Sequence, residues 1–176
     1  MLGEKTKKNL ETAFAGESMA RNKYAYFASV ARKAGYIQIA NIFEETADNE
    51  KEHAKLWAKA LGYISEDLKE DLKAAVAGET YETGTMYPQM EKDALEEGQA
   101  DIARLFHEVA AIEAAHAQRY QKLLDNMEKG EVFKKAEVKR WKCSNCGRIH
   151  EGLEAPAVCP ACSHPQAYYE ILAENY

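Results

Sequence analysis

Ile39-Ala40-Asn41-Ile42-Phe43, followed by Glu50-Lys51-Glu52-His53, recurs as Ile102-Ala103-Arg104-Leu105-Phe106 followed by Glu113-Ala114-Ala115-His116. The offset is 63 in both blocks (102 minus 39, 113 minus 50). Upstream, Ala15-Gly16-Glu17-Ser18 recurs as Ala77-Gly78-Glu79-Thr80 at an offset of 62 (79 minus 17), so a single inserted residue reconciles the copies. An internal repeat of this length predicts two helix pairs related by an approximate two-fold axis, with the repeated polar residues meeting near it.

The helical reading rests on composition and period. The first 130 residues are rich in Ala, Glu, Lys and Leu, with apolar residues three and four apart and Pro88 as the one proline. Breaks near Gly35, Gly62 and Gly98 give four expected helices over roughly 4–34, 37–61, 66–96 and 99–128. Pro88 should kink the third. Short connections between helices of this length predict an all-α four-helix bundle over residues 1–131. Residues 132–139 read as a linker, and 140–176 as a small module with three prolines, four cysteines and no helical period.

Several function classes drop out early. No run approaches eighteen consecutive apolar residues, so no membrane span is expected. The start, Met1-Leu2-Gly3-Glu4-Lys5, has no apolar export segment, which predicts a cytoplasmic protein. Net charge is −6 with both signs interspersed, so no basic face advertises nucleic acid. The four cysteines fall within twenty residues at the end of the chain, which suits a metal site in a reducing compartment better than disulfides.

The helical stripes carry the chemistry. In the second helix Ile39, Ile42, Phe43, Thr46 and Ala47 continue at three-four spacing onto Glu50 and His53; in the fourth, Leu105, Phe106 and Val109 continue onto Glu113 and His116. The first gives Leu10, Phe14, Glu17, Tyr24 and Phe27, and the third Leu72, Val76, Glu79, Glu82 and Met86. Five carboxylates on core-facing stripes would repel one another and lose their hydration, at several kcal/mol each. No lysine or arginine shares those stripes, but two metal ions answer the charge, and glutamate with imidazole suits iron or manganese. One Glu from each of two helices, plus Glu-x-x-His from each of the other two, resembles the di-metal pattern of ferritin-like bundles.

Glu82 breaks the symmetry. Its counterpart at the 62 offset is Ala20, so one metal would have a surplus carboxylate, which points to chemistry rather than inert storage. Tyr24 and Tyr87 follow Glu17 and Glu79 by about two turns, placing them to hydrogen-bond ligand carboxylates. Gly16 and Gly78 each precede a ligand, and close packing is the expected reason. His107, His150 and His164 have no repeat partner and are read as non-ligands.

In the tail, Cys143-Ser144-Asn145-Cys146 and Cys159-Pro160-Ala161-Cys162 are paired C-x-x-C knuckles, a strong signal for a four-thiolate site. Spacing alone leaves zinc and iron open. A redox di-metal bundle on the same chain needs an electron source and favours iron. So short a module cannot bury enough core alone, so the metal helps to fold it; Trp141, Tyr168 and Tyr169 should cover the site.

Ala15-Gly16-Glu17-Ser18-Met19-Ala20-Arg21 through Tyr24, Glu50-x-x-His53, Gly78-Glu79-Thr80-Tyr81-Glu82, Met86-Tyr87-Pro88, Glu113-x-x-His116 and the cysteine pairs together resemble the rubrerythrins along essentially the whole chain. The resemblance implies a ferritin-like di-iron bundle with a rubredoxin-like domain, in a homodimeric non-haem peroxidase that reduces hydrogen peroxide to water in oxidative-stress defence. It implies that Glu17, Glu50, His53, Glu79, Glu82, Glu113 and His116 bind two irons, with Glu50 and Glu113 bridging and one iron exchanging Glu82 for His53 on reduction. It implies a third iron on Cys143, Cys146, Cys159 and Cys162, and an external electron donor, a rubredoxin or an NAD(P)H-dependent reductase. One departure stands out: free rubredoxins usually have glycine after the last cysteine, where this chain has Ser163. The rival readings are a ferroxidase or iron-storage protein, and a structural protein with zinc in every site.

Overall fold

The computed structural model describes residues 2–176. The chain divides between Glu66 and Asp67 into two compact units. Four long helical stretches followed by a small cysteine module are present, as the fold class requires.

The first unit is a helical hairpin, α1 (Glu4–Lys33) and α2 (Ile37–Leu61), within a residue of the expected limits. α2 stops at Gly62, whose φ of 73° lies in the left-handed region where glycine carries no Cβ penalty. The Tyr63 and Gly62 amides bond back to the carbonyls of Ala58 and Lys59, closing the helix end. The buried residues of the hairpin are alanines: Ala28, Ala40, Ala47, Ala54 and Ala58. Small side chains let the two backbones approach closely. Around them Tyr24 stacks on Phe43 at 6.0 Å, and Phe27 meets Phe43 edge-on at 5.6 Å.

Here the stripe reading needs correction. Within the helix pair Phe27, Ile39 and Ile42 are exposed and Glu50 is only half-buried, while the alanines beside them hold the contact. An apolar stripe about 100° wide is broader than the surface one neighbouring helix covers. No polar or charged side chain is fully buried among the described residues.

The second unit opens with α3 (Leu68–Tyr81), whose first turn is capped by the Asp67 carboxylate accepting from the Lys69 amide at 2.9 Å. A π-helical turn, Glu82–Met86, leads into α4 (Tyr87–Glu96). The expected kink at Pro88 takes this form. Proline has no amide to give and its ring crowds the carbonyl four residues back, so the wider turn before it relieves the clash. α5 (Ala100–Glu128) packs along α3 and α4, and Thr83 Oγ1 donates to the Ala110 carbonyl at 2.8 Å, tying the π turn to α5.

Beyond α5 come β1 (Lys134–Cys143), β2 (Ile149–Glu154), a 3-10 turn at Gln166–Tyr168 and β3 (Tyr169–Ile171), in an antiparallel sheet of order β2-β1-β3. Residues 134–139, expected as part of a linker, are therefore strand. The pairing Lys134↔Glu154 and Lys139↔Gly152 carries them along β2 with a bulge between. The sequence there is charged because this part of β1 pairs with β2 alone, through backbone groups, and leaves most of its side chains in water. Trp141, Cys143, Ala155, Cys159 and Tyr169 form the module's core.

Candidate metal centres

Glu17 on α1 and Glu50 and His53 on α2 form one cluster, with a ligand atom from each within 4.8 Å of the others. His53 Nδ1 is 2.7 Å from Glu50 Oε2 and 3.9 Å from Glu17 Oε2. The three-residue spacing puts both α2 side chains on one helix face, and the close helix contact brings Glu17 across.

The second unit repeats this arrangement. Glu79 on α3 meets Glu113 and His116 on α5, again within 4.8 Å. His116 Nδ1 is 2.6 Å from Glu113 Oε2 and 3.6 Å from Glu79 Oε2. The two triads thus match in identity, spacing and hydrogen bonding, as the repeat predicts.

Charge within the second triad is crowded. Burial holds the Glu79 carboxyl above the usual carboxylate range, and a hydrogen bond that protonated Glu79 donates to Glu113, the Glu113 charge and the Glu82 charge push the same way against His116. A carboxyl held above its usual range beside two further carboxylates, where only a histidine opposes them, is a group a cation would satisfy. Glu82, at the start of the π turn, stands outside the tight cluster but within its field. The Tyr87 hydroxyl is raised by burial and by the charges of Glu82, Glu113 and Glu79, so it borders the site. Tyr24 packs through its ring on Phe43 and Phe27. Gly16 and Gly78 have no neighbour within 4 Å of where a Cβ would stand, so the close packing expected there is absent from each helix pair. Both lie on exposed helix surface.

The four cysteines converge without disulfides. The Cys143 and Cys162 sulfurs are 3.7 Å apart, as are those of Cys146 and Cys159. A tetrahedral metal with sulfur bonds of about 2.3 Å has edges of about 3.8 Å, so the donor set fits a four-thiolate ion. The knuckles are near copies. Gly147 and Ser163 amides donate to the Cys143 and Cys159 carbonyls at 2.8 and 2.9 Å, and Cys143 and Cys159 amides donate to the Arg148 and His164 carbonyls at 2.9 and 2.8 Å. Both corners need a left-handed residue: Gly147 has φ 77° and Ser163 has φ 61°, the one positive φ of a non-glycine among the described residues. The Cys159 thiol is lowered, first by Tyr169 and then by the amides of Ala161 and Cys162, and Cys162 is lowered by the amide of His164, whereas Cys146 is raised in spite of the Arg148 amide. Trp141 is fully buried and donates Nε1–H to the Gly152 carbonyl at 3.0 Å, whereas Tyr168 stays exposed. His164 Nδ1 sits 3.1 Å from the Cys162 carbonyl, and its ring meets Tyr168 edge-on. His107 pairs with Glu91 at 3.2 Å, away from either triad.

A family model described as rubrerythrin matches residues 8–124, and one described as the rubrerythrin, rubredoxin-like domain matches residues 141–170. The chain belongs to the rubrerythrin family. It is 50% identical to rubrerythrin-1 of Clostridium acetobutylicum over 99% of this chain and 97% of that protein. It is 48% identical to the rubrerythrin of Clostridium perfringens, with the same coverage of both chains. The rubrerythrin of Nitratidesulfovibrio vulgaris is 44% identical over 99% of this chain and 97% of its own length. Among solved structures, partially reduced nigerythrin is 32% identical, covering 98% of this chain and 88% of that one, with a TM-score of 0.37. Rubrerythrins are iron proteins, and this chain carries both donor sets the family needs: Glu/His clusters for a di-iron centre and four thiolates for a mononuclear iron.

Two residues of consequence escaped the sequence reading. Tyr169 is expected only as cover, yet its hydroxyl is buried with no hydrogen-bond partner among the described residues. Thr83 fixes the π turn to α5, and nothing in its local sequence marks it.

Proposed function

We propose that this protein is an oxidoreductase that reduces hydrogen peroxide to two waters. Glu17, Glu50, His53, Glu79, Glu82, Glu113 and His116 hold a carboxylate-bridged pair of irons, and Cys143, Cys146, Cys159 and Cys162 hold a third. The carrying observation is the pairing on one chain of two matched Glu/Glu/His clusters with a four-thiolate site of tetrahedral dimensions. When bound, the iron pair supplies two electrons together, which with two protons convert one peroxide to two waters, and the thiolate iron supplies electrons one at a time from an external donor.

The residues manage charge and protons around that exchange. Glu50 and Glu113 accept from their own helix's histidine three residues on, which fixes each imidazole and its tautomer. Tyr87, held protonated by burial and by the charges of Glu82, Glu113 and Glu79, can donate its O–H to peroxide arriving at the site. Tyr24 is proposed to do likewise at the other cluster. Glu82 lies close enough to act on the charge of the second cluster, and we propose, as the family resemblance implies, that it would be the ligand to give way to His53 on reduction.

The donor is proposed to be a rubredoxin or an NAD(P)H-dependent reductase. The working unit is proposed to be a cytoplasmic homodimer. Exposed apolar residues such as Ile42, Leu105 and Ile112 supply surface for association, and no helix is long and apolar enough to cross a membrane among the described residues. A storage role would leave the thiolate centre without a task. The test is stopped-flow mixing of the fully reduced, iron-loaded protein with peroxide. Oxidation should run far faster than with air-saturated buffer; equal rates would remove the peroxidase reading.

A further inference from the structure

Residues 155–168 of the cysteine module include no Asp, Glu, Lys or Arg, although 30% of the chain is charged. Much of this loop is exposed, including Val158, Pro160, Ala161, Pro165, Ala167 and Tyr168. It is also stiff. The Gln166 amide donates to the Ala157 carbonyl at 2.9 Å, its side chain donates to the Ala155 carbonyl at 2.7 Å, and the Tyr168 carbonyl accepts from the Ser144 amide at 2.8 Å. The Tyr168 ring, 42% exposed, meets the His164 ring edge-on at 4.4 Å. A carbonyl only accepts, so His164 donates Nδ1–H to the Cys162 carbonyl at 3.1 Å. An unbroken line of contacts thus runs from the surface to a half-buried cysteine of the thiolate site.

We propose that this uncharged face is where the external electron donor docks, and that the donor is a small one-electron carrier protein with an uncharged, apolar rim around its own cofactor. The inference rests on the donor-fed thiolate iron of the peroxidase reading. One electron passes from the reduced carrier to that iron, ferric to ferrous, with no bond made or broken and no proton moved. Stable partners bury about 20–30 residues a side, whereas transient electron-transfer complexes bury less than about 1,200 Å² in all, a contact on the scale of this one loop. Uncharged surface loses little on giving up its water, and a stiff loop loses little freedom, so a carrier can dock and leave with each electron. The first knuckle offers different chemistry, with Ser144, Asn145 and Arg148 exposed. A carrier that docks through acidic groups would be drawn there instead, so experiment can tell the two faces apart.

The experiment adds zinc-loaded rubredoxin, as the probe carrier, to the full-length protein with zinc in its metal sites, and follows backbone amide signals by nuclear magnetic resonance. Signals of residues 157–168 should shift, and those of 144–148 should stay in place. Larger shifts in 144–148, or none with rubredoxin at about 1 mM, overturn the proposal. Shifts in 157–168 that follow the protein's own concentration, without rubredoxin, would make the face a contact between copies and overturn it equally. Val158→Glu and Val158→Lys should each weaken the complex about tenfold, because a charge of either sign must give up water at the contact. Tighter binding by either variant would make long-range charge the cause and overturn the proposal. Loaded with iron, both variants should keep the red colour and be bleached by dithionite at the wild-type rate; should a variant lose the colour, the wild-type footprint decides alone. Slow oxidation by peroxide would remove the peroxidase reading yet leave this footprint as it is, so the two fail separately.

Discussion

The amide of Tyr87 donates to the carbonyl of Glu82, five residues back, and at that bond the second helix pair departs from the first. Tyr24 follows Glu17 by 7 residues and Tyr87 follows Glu79 by 8, so the inserted residue of the repeat lies in the π turn between them. A π turn is what one extra residue becomes when the helix on both sides must keep its face on a neighbour, here α5. Glu82, the carboxylate without a counterpart, begins that turn. Replacing it tests whether the insertion serves chemistry. Glu82→Ala should leave the helical circular dichroism and the red thiolate spectrum intact while peroxide turnover falls on the order of 10–100-fold. Turnover within a factor of two of wild type would make the turn a packing accident.

How much of this was legible beforehand varies with the kind of signal. The helix limits of α1, α2 and α5 follow from glycines that end periodic segments, and the observed ends fall within a residue or two. Both triads follow from the repeat, because matched residues at matched spacing can only land in matched places. The inserted residue was visible as a change of offset, but not its form, since a bulge and a lengthened loop change the count alike. Burial was misjudged: period tells which residues share a face, whereas which face meets a neighbour depends on tertiary packing. At Ala40 and Ala47 the smallest side chains make the contact and Ile42 does not. The strand over 134–139 was hidden because backbone pairing leaves no hydrophobic alternation.

Glu79 makes the protein without metal sensitive to pH. Its folded pKa is raised, chiefly by burial and then by Glu113, so its contribution to stability is complete below the unfolded value. That contribution is lost as pH rises through the raised folded value. Metal-free protein, prepared with a chelator, should therefore melt lower as pH climbs across this window. Glu79→Gln should flatten that slope and raise the metal-free melting temperature at neutral pH, while reducing the gain on adding ferrous iron. Scanning calorimetry of both proteins, with and without iron, makes the comparison. A steeper slope in the variant would contradict the assigned cause.

Ser163 occupies a corner that Gly147 fills in the matching knuckle. A side chain at φ 61° crowds the following carbonyl, at roughly 1–2 kcal/mol, and glycine avoids this at some entropic cost. Ser163→Gly should stabilise the iron-loaded module by about 0.5–1 kcal/mol, seen as slower bleaching of the red colour in guanidinium chloride. Faster bleaching would show that the serine hydroxyl contributes something the backbone geometry does not reveal.

The thiols themselves predict how the module loses its metal. Cys159 is lowered to about 6, first by Tyr169 and then by amides, so it ionises readily at neutral pH. The Arg148 amide pulls Cys146 down, yet hydrogen bonds to the Cys162, Cys159 and Cys143 sulfurs, together with burial, hold its proton and push it up to about 12. Four ionised sulfurs 3.7 Å apart along paired edges cannot persist without a cation between them. Metal entry must then expel the proton that Cys146 keeps, and affinity must fall as pH falls because protons compete for the same sulfur. Titrating zinc or ferrous iron into the reduced, metal-free protein in weakly buffered solution should release protons. The apparent affinity should drop steadily between pH 8 and pH 6. Binding without proton release would mean that the sulfurs were already ionised, and the crowding at Cys146 would have to be relieved by a rearrangement of the knuckles before metal arrives.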